Sequence, residues 1–179
     1  YAENITLKGI NLKYMRAAAV VIGPQAKNIQ VIGAEITGAA GQTVTMNGTV
    51  NCKFVDCYIH DSEGGIQCVN SGDRNKLKKG NNVIENCTIR NVEGKKVTYQ
   101  PAINLTGVGN TARYNDISVS QHTVFCLGGN LHTVEFNEIY DACTDTDDMG
   151  ALYTGRDVTQ RGHKVRYNYF HDIGGSDRG

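Results

Sequence analysis

The residues best suited to chemistry are the aspartates of one short turn. Residues 141–148 read D-A-C-T-D-T-D-D, the most acidic stretch of the chain, and M-G-A-L-Y-T-G-R-D follows. Glycoside hydrolysis uses two carboxyl groups, about 5 Å apart for retention of configuration and about 6.5–9.5 Å apart for inversion. Asp148 directly precedes a short apolar strand pattern, which would hold it more firmly than a loop does. We therefore predict Asp148 as a catalytic acid/base or nucleophile, supported by Arg156 and Asp157.

The same turn has two other interpretations, and both remain open. Aspartates that precede glycine often only shape a turn. Carboxylate oxygens are also the ligands that Ca²⁺ prefers, and Asp145, Asp147 and Asp148 offer three of them. Apart from this Ca²⁺ interpretation, we expect no cofactor and no other metal.

These acidic residues lie within a repeated pattern. An apolar residue closes each copy, at Leu12, Ile36, Ile59, Ile89, Ile117, Ile139 and Phe170. Five positions earlier the residues are also apolar, at Leu7, Val31, Phe54, Ile84, Ala112, Val134 and Val165. A second apolar pair follows most copies, at Val20/Ile22, Val44/Met46, Ile66/Cys68, Ile103/Leu105 and Val124/Cys126. Short period-2 segments that recur every 22 to 31 residues are typical of a β-solenoid, whose stacked coils share one core. We predict an all-β, right-handed parallel β-helix of about seven coils.

One slot of the repeat changes from apolar to amide. Asn115, Asn137 and Asn168 stand where the earlier copies have Ile10, Ala34, Cys57 and Cys87. A buried polar group must be hydrogen-bonded, so we expect the three asparagines to form an internal ladder. The cysteines show no zinc-binding spacing, and we expect buried free thiols rather than disulfides.

Loop lengths predict where a ligand would bind. The connection to the second apolar pair is long after Ile89 and Ile139 but short after Ile117. Two raised loops that flank a low one would form a trough about 10 Å wide, which suits one extended sugar chain. The residues predicted to contact substrate there are Gln121, His122, Phe125, Asp147, Tyr153, His171 and Asp172.

Composition limits the classes of function. The 179 residues suffice for one domain, 1–179, and lysine plus arginine balance aspartate plus glutamate at 18 each. A neutral chain gives no sign of nucleic-acid binding, and no apolar run reaches the length of a membrane span. A basic insertion at 70–80 is interpreted as a solvated loop, with contact to an anionic polymer as the second interpretation. Because both ends fall inside patterned segments, we expect a piece of a longer protein.

A family resemblance is carried by residues 110–175. N-x-I-x-D, then D-M-G-A-L-Y-T-G-R-D and V-R-Y-N-Y-F-H-D-I-G-G, resembles bacterial right-handed parallel β-helix proteins of the glycoside hydrolase family 141 type. The resemblance implies a secreted or periplasmic enzyme that acts on xylan or fucose-bearing plant polysaccharides. It also implies a pair of catalytic aspartates, the first at Asp148 and the second in a coil beyond Gly179.

The sequence thus favours a glycoside hydrolase with a polysaccharide or oligosaccharide substrate. Two alternatives remain: a polysaccharide lyase on the same fold, with Arg156 or Lys96 as the base, and a carbohydrate-binding or surface-interaction solenoid without catalysis.

Overall fold

The apolar repeat forms three parallel β-sheets that wind around one axis. The computed structural model describes residues 2–146 and 148–174. Sheet A contains β1 Thr6–Lys8, β4 Gln30–Ile32, β7 Lys53–Val55, β10 Val83–Glu85, β13 Thr111–Arg113, β16 Thr133–Glu135 and β19 Lys164–Arg166. Sheet B contains β2 Asn11–Lys13, β5 Glu35–Thr37, β8 Tyr58–Ser62, β11 Thr88–Val92, β14 Asp116–Ser120, β17 Glu138–Ala142 and β20 Tyr169–Phe170. Sheet C contains β3 Val20–Ile22, β6 Val44–Asn47, β9 Ile66–Ser71, β12 Ile103–Gly107, β15 Phe125–Leu127 and β18 Leu152–Thr154.

Each coil supplies one strand to each sheet in the order A, B, C. The described residues form six complete coils and the first two strands of a seventh. The predicted right-handed parallel β-helix is confirmed. No helix among the described residues is long and apolar enough to cross a bilayer.

The two apolar series are the core rows of sheets A and B. The residues from Leu7 to Val165 pair in register along sheet A. The residues from Leu12 to Phe170 pair along sheet B. In the middle coils their side chains are fully buried, as Phe54 and Ile89 illustrate. Because each strand is only a few residues long, the core depends on stacking between neighbouring coils.

The corner between sheets A and B holds the predicted asparagine ladder. Asn115 Nδ2 donates to Asn137 Oδ1 at 2.9 Å, and Asn137 Nδ2 donates to Asn168 Oδ1 at 2.8 Å. The same oxygens accept backbone N–H groups from the preceding coil. Each asparagine side chain therefore bonds both to the next side chain of the ladder and to the backbone of the corner. Cys57 and Cys87 occupy this slot in earlier coils as free thiols, as predicted.

A second internal ladder runs along the corner between sheets C and A. Asn82 Nδ2 donates to Asn110 Oδ1 at 3.0 Å, and the Asn110 backbone N–H donates to His132 Nδ1 at 3.1 Å. The His132 N–H in turn donates to His163 Nδ1 at 3.3 Å, and the two imidazoles stack with centroids 5.2 Å apart. These residues stand two positions before the core row of sheet A. The second ladder could therefore have been predicted from the repeat, as the first one was.

The core pair of the fifth coil differs from the prediction. Phe125 pairs with Ile103 and Leu152, and Leu127 pairs with Leu105, so Phe125/Leu127 face inward rather than Val124/Cys126. Four consecutive apolar residues, V-F-C-L, leave the phase of the strand ambiguous in the sequence. The N–H groups of Val124 and Phe125 both donate to the Ala151 carbonyl, at 2.9 and 2.8 Å, and this local irregularity buries both side chains.

Candidate functional site

At the sixth coil, Arg156 interacts by charge with Asp148 and with two tyrosines. Asp148 is exposed just before β18, and Arg156 is exposed just after it. Both have left-handed backbone, with φ of 63° and 61°. The pKa of Arg156 is raised, first by its hydrogen bond to Tyr153 and by charge attraction to it, then by Tyr99 and Asp148. We call Tyr99, Asp148, Tyr153 and Arg156 the Asp148 cluster.

A polar row leads from this cluster along the outer face of sheet C. Its members are paired in register and half-buried, and they are Thr45, Gln67, Asn104, Cys126 and Tyr153. Asn104 Nδ2 donates to Gln67 Oε1 at 2.7 Å. Successive members are about 4.8 Å apart, the spacing of neighbouring strands. The row offers amide and hydroxyl groups along a line parallel to the helix axis.

The two long loops are tied together rather than separated by an open trough. Gln121 Oε1 accepts from the Gly94 N–H at 3.1 Å, and its Nε2 donates to Asp145 Oδ2 at 2.9 Å. Gln121 thus bridges both loops, and its amide is engaged by protein on both sides. Asp145 itself is exposed and held by this contact.

His122 is buried beneath one of these loops. Its ring centroid lies 5.4 Å from that of Tyr99, and only 3% of the residue is exposed. Burial lowers the pKa of His122, so its imidazole is neutral at pH 7. Its Nδ1 is buried and has no hydrogen-bond partner in the described part of the chain. The prediction that His122 lines an open cleft is therefore wrong, because Tyr99 covers it.

Phe125 is likewise no surface residue. Its ring is fully buried in the core, because the register of β15 pairs Phe125 with the inward-facing Ile103. The predicted substrate contact of Phe125 is therefore wrong. Cys126 takes the outward position instead.

Asp157 is engaged away from the Asp148 cluster. Its Oδ2 accepts from Arg74 Nη2 at 2.9 Å, and its Oδ1 accepts from the Thr159 N–H at 2.9 Å. Hydrogen bonds from Thr159 and then Arg74 lower the pKa of Asp157 to about 2. Asp157 therefore anchors the basic insertion, and the structure does not pair it with Asp148 as a second carboxylate.

The Ca²⁺ interpretation rests partly on Asp147, which lies outside the described residues. Among residues 2–146 and 148–174, no group of three or more His, Cys, Asp or Glu side chains is placed to hold a metal ion. Asp145 and Asp148 thus have no described third ligand of these types. The predicted substrate contact of Asp147 also lies outside the described residues.

His171 and Asp172 belong to a different face, the outer side of sheet B. His171 Nδ1 is 2.7 Å from Asp172 Oδ2, and its Nε2 is 3.1 Å from Glu138 Oε1. These carboxylates, Asp172 first, raise the pKa of His171. The imidazole also stacks on Tyr140 and Tyr169, with centroids 5.0 and 4.4 Å away.

This face contains a carboxylate pair that the sequence analysis missed. Asp116 and Glu138 are direct partners on neighbouring strands, where like charges are normally destabilising. Arg90 Nη2 donates to Asp116 Oδ2 at 2.5 Å, and His171 contacts Glu138 from the other side. Asp116 and Glu138 are thus each bound by a basic side chain, which offsets part of the repulsion between them. Both acids stand one position before the core row of sheet B. Their pairing on neighbouring strands could therefore have been predicted from the repeat.

Comparisons with known proteins identify no family. No family model matches the chain, and no curated protein matches it. Among solved structures, a trypsin-treated QnrB1 variant, described as a plasmid-mediated fluoroquinolone resistance protein, matches at 12% identity. That match covers 92% of this chain and 91% of the other with a TM-score of 0.19, a similarity too low to support any inference.

Proposed function

We propose that this chain is the β-helix of a glycoside hydrolase that acts on a plant cell-wall polysaccharide, with xylan and fucose-containing glycans as the first candidates. The observation that carries the proposal is the position of the Asp148 cluster at one end of the polar row on sheet C. An exposed carboxylate, a guanidinium and two tyrosine rings there adjoin a line of hydrogen-bonding groups. Bacterial secretion or a periplasmic location is part of this proposal.

In the proposed reaction, Asp148 is one of the two carboxyl groups that cleave the glycosidic bond. It either protonates the leaving oxygen or attacks the anomeric carbon, and water supplies the hydroxyl group of the new sugar end. Arg156 supplies a fixed positive charge that orients a carboxylate or hydroxyl group at the reacting centre. The rings of Tyr99 and Tyr153 offer apolar surface to a sugar face, while Gln67 and Asn104 bind hydroxyl groups farther along the chain. The neutral His122 supports Tyr99 from below.

The test is the substitution Asp148→Asn in the longest natural form of the protein. Asparagine tolerates the left-handed backbone and keeps the side-chain shape, so folding should be unaffected while hydrolysis falls by about 100-fold or more. The measurement is release of reducing ends from xylan and from fucose-containing pectic polysaccharide. Asp56→Asn is the matched control, because Asp56 is also exposed with a left-handed φ of 55° and lies on the corner between sheets A and B.

The outcomes separate the classes of function. Full activity in Asp148→Asn removes the catalytic role of Asp148. Products that absorb in the ultraviolet, as unsaturated uronates do, would replace the hydrolase with a lyase. Binding of polysaccharide without any product from the natural protein would favour the non-catalytic solenoid.

A further inference from the structure

The basic insertion forms a hydrogen-bonded hairpin whose residues are mostly exposed. Asp73 and Lys78 exchange backbone hydrogen bonds of 2.8 and 3.0 Å. Asp73 Oδ1 also accepts the backbone N–H of Asn75 at 2.9 Å, which fixes the turn. An extra residue in β9 relative to β12 shifts the register just before the hairpin begins. The hairpin therefore leaves the β-helix directly after β9, at the corner between sheets C and A.

Arg74 secures the hairpin to coils farther along the axis. It donates to Asp157 Oδ2 at 2.9 Å and to Thr159 Oγ1 at 2.7 Å in the sixth coil. Its Nε donates to Asn130 Oδ1 at 3.2 Å in the fifth. Arg74 thus fixes the hairpin, which leaves the third coil, to the fifth and sixth coils.

A groove runs along the axis beside this hairpin. Four depressions of about 290 to 470 Å³ follow one another from the first coil to the sixth. The first two share Gly48 and Val50, the second and third share Asn70 and Gly72, and the Arg74 side chain separates the last two. Part of the floor is glycine, because a Cβ at Gly107 or Gly129 would lie only 2.1 Å from a carbonyl oxygen of the preceding coil. Side chains are therefore excluded from the floor. The hairpin rises beside it as a wall.

The groove is positively charged although the chain as a whole is neutral. Three carboxylates and six cationic side chains line it, the latter being Lys27, Arg74, Lys76, Lys78, Lys79 and Arg161. Lys76, Lys78 and Lys79 are exposed on one stretch of the hairpin. None of the lining residues is aromatic. Nucleic-acid bases would therefore have no surface on which to stack.

We infer that this groove binds a linear acidic polysaccharide, one whose sugars carry carboxylate groups. Five coil steps give the groove a length of about 24 Å, and each step is close to the length of one pyranose unit. Lys27 follows the first coil, the three hairpin lysines follow the third, and Arg161 follows the sixth, so positive charge is spread along the groove where a chain of carboxylates would lie. Asn70 and Thr106 supply hydrogen-bonding groups between them. The site is separate from the Asp148 cluster and does not depend on hydrolysis there.

The experiment measures binding of an oligogalacturonate to the Asp148→Asn protein by calorimetry, with a neutral xylo-oligosaccharide of equal length as the comparison. Replacing Lys76, Lys78 and Lys79 together by glutamine should weaken oligogalacturonate binding by about tenfold, and added salt should weaken it further. The matched control replaces Lys8, Lys53 and Lys164 by glutamine, since these exposed lysines make the same charge change and none lines the groove. Circular dichroism verifies that both triple variants are folded.

Weaker oligogalacturonate binding in the hairpin variant alone supports binding in the groove. Equal losses in both variants would show attraction by net charge alone and overturn it, as would absence of binding by the parent protein. Tighter binding of a single-stranded DNA of similar charge would overturn the polysaccharide assignment. The experiment measures binding and not hydrolysis. Its result therefore stands even if the proposed hydrolase activity is not found.

Discussion

At the scale of single residues, buried polar side chains stabilise the corners of the β-helix. They hydrogen-bond to backbone groups that have no strand partner where the chain turns from one sheet to the next. Asn137 shows the principle, because its amide donates to Asn168 while its oxygen accepts two N–H groups of Asn115. Buried donors without partners cost about 1–3 kcal/mol each, so such slots tolerate few residue types. The thiols of Cys57 and Cys87 fill the same slot in earlier coils, and the imidazole of His132 has the corresponding role in the ladder between sheets C and A.

Asn137→Ala should lower the free energy of unfolding by about 2–4 kcal/mol, because it leaves the buried Asn115 backbone N–H without its acceptor and removes the side-chain hydrogen bonds to Asn168 and to the Ala112 carbonyl. Urea denaturation followed by circular dichroism measures this. Asn11→Ala, at an exposed strand position, should change stability by less than about 0.5 kcal/mol. Similar values for the two variants would contradict the role of the ladder.

His132 should make stability depend on pH. Its Nδ1 accepts a hydrogen bond, and desolvation is the main cause that lowers its pKa from 6.5 to about 4. The unfolded chain therefore binds the proton more tightly, and stability is complete above pH 6.5. As pH falls from 6.5 to about 4, this residue alone removes about 3 kcal/mol, with no further loss below.

The matched variant is His132→Asn, which copies Asn82 and Asn110 in the same ladder. It should remain folded and should no longer show the loss of stability assigned to His132 as the pH falls. Urea denaturation between pH 4 and 7 measures this. An unchanged pH profile would show that His132 does not carry it.

At the scale of elements, each corner has its own backbone solution. The corner from sheet A to sheet B uses one left-handed residue in every coil, with Asn86, Tyr114 and Phe136 at φ of 52°, 55° and 56°. Aromatic residues adopt this conformation at a cost of about 1–2 kcal/mol. Here Tyr114 and Phe136 stack with centroids 5.1 Å apart, which offsets part of that cost.

The register of β15 makes a prediction about thiol reactivity. Cys126 faces outward on sheet C, but burial raises its pKa to about 11, while the fully buried Cys68 has a pKa of about 12. Since the thiolate is the reactive form, and since Cys57, whose pKa is lowered by its hydrogen bond with Cys87, is buried, iodoacetamide should modify almost nothing in the folded protein at pH 8. At pH 10, Cys126 should react before the other five cysteines, as mass spectrometry of peptides can show. A Cys126→Ser variant should lose this first reaction, whereas protection of Cys126 equal to the others would favour the register expected from the sequence.

At the scale of the whole molecule, stability passes from coil to coil. Within the described residues, strand contacts are made between neighbours in the same sheet. Central core residues such as Ile59 and Ile117 are fully buried, whereas Leu7 and Val165 in the outermost strands are 40% and 46% exposed. A core of this kind is weakest where a strand has one neighbour instead of two.

Amide hydrogen exchange should follow this gradient. In a protein made of residues 1–179 alone, backbone amides of β8, β11 and β14 should exchange more slowly than those of β1 and β19, by on the order of 100-fold, because opening them breaks contacts on both sides. Mass spectrometry after timed exposure to D₂O measures the difference. Uniform exchange along the axis would show that the chain unfolds as one cooperative unit.

What the sequence determined by itself was the repeat. Apolar residues recur at the same positions in each coil, so the fold, the core rows of sheets A and B and the Asn115–Asn137–Asn168 ladder could be predicted from local pattern alone. The tertiary structure decided how side chains from different coils meet. It buried Phe125, covered His122 with Tyr99, and joined Asp157 to Arg74 of the basic hairpin. Such contacts join residues far apart in the chain, and their geometry depends on strand phase and loop path, which no single coil specifies.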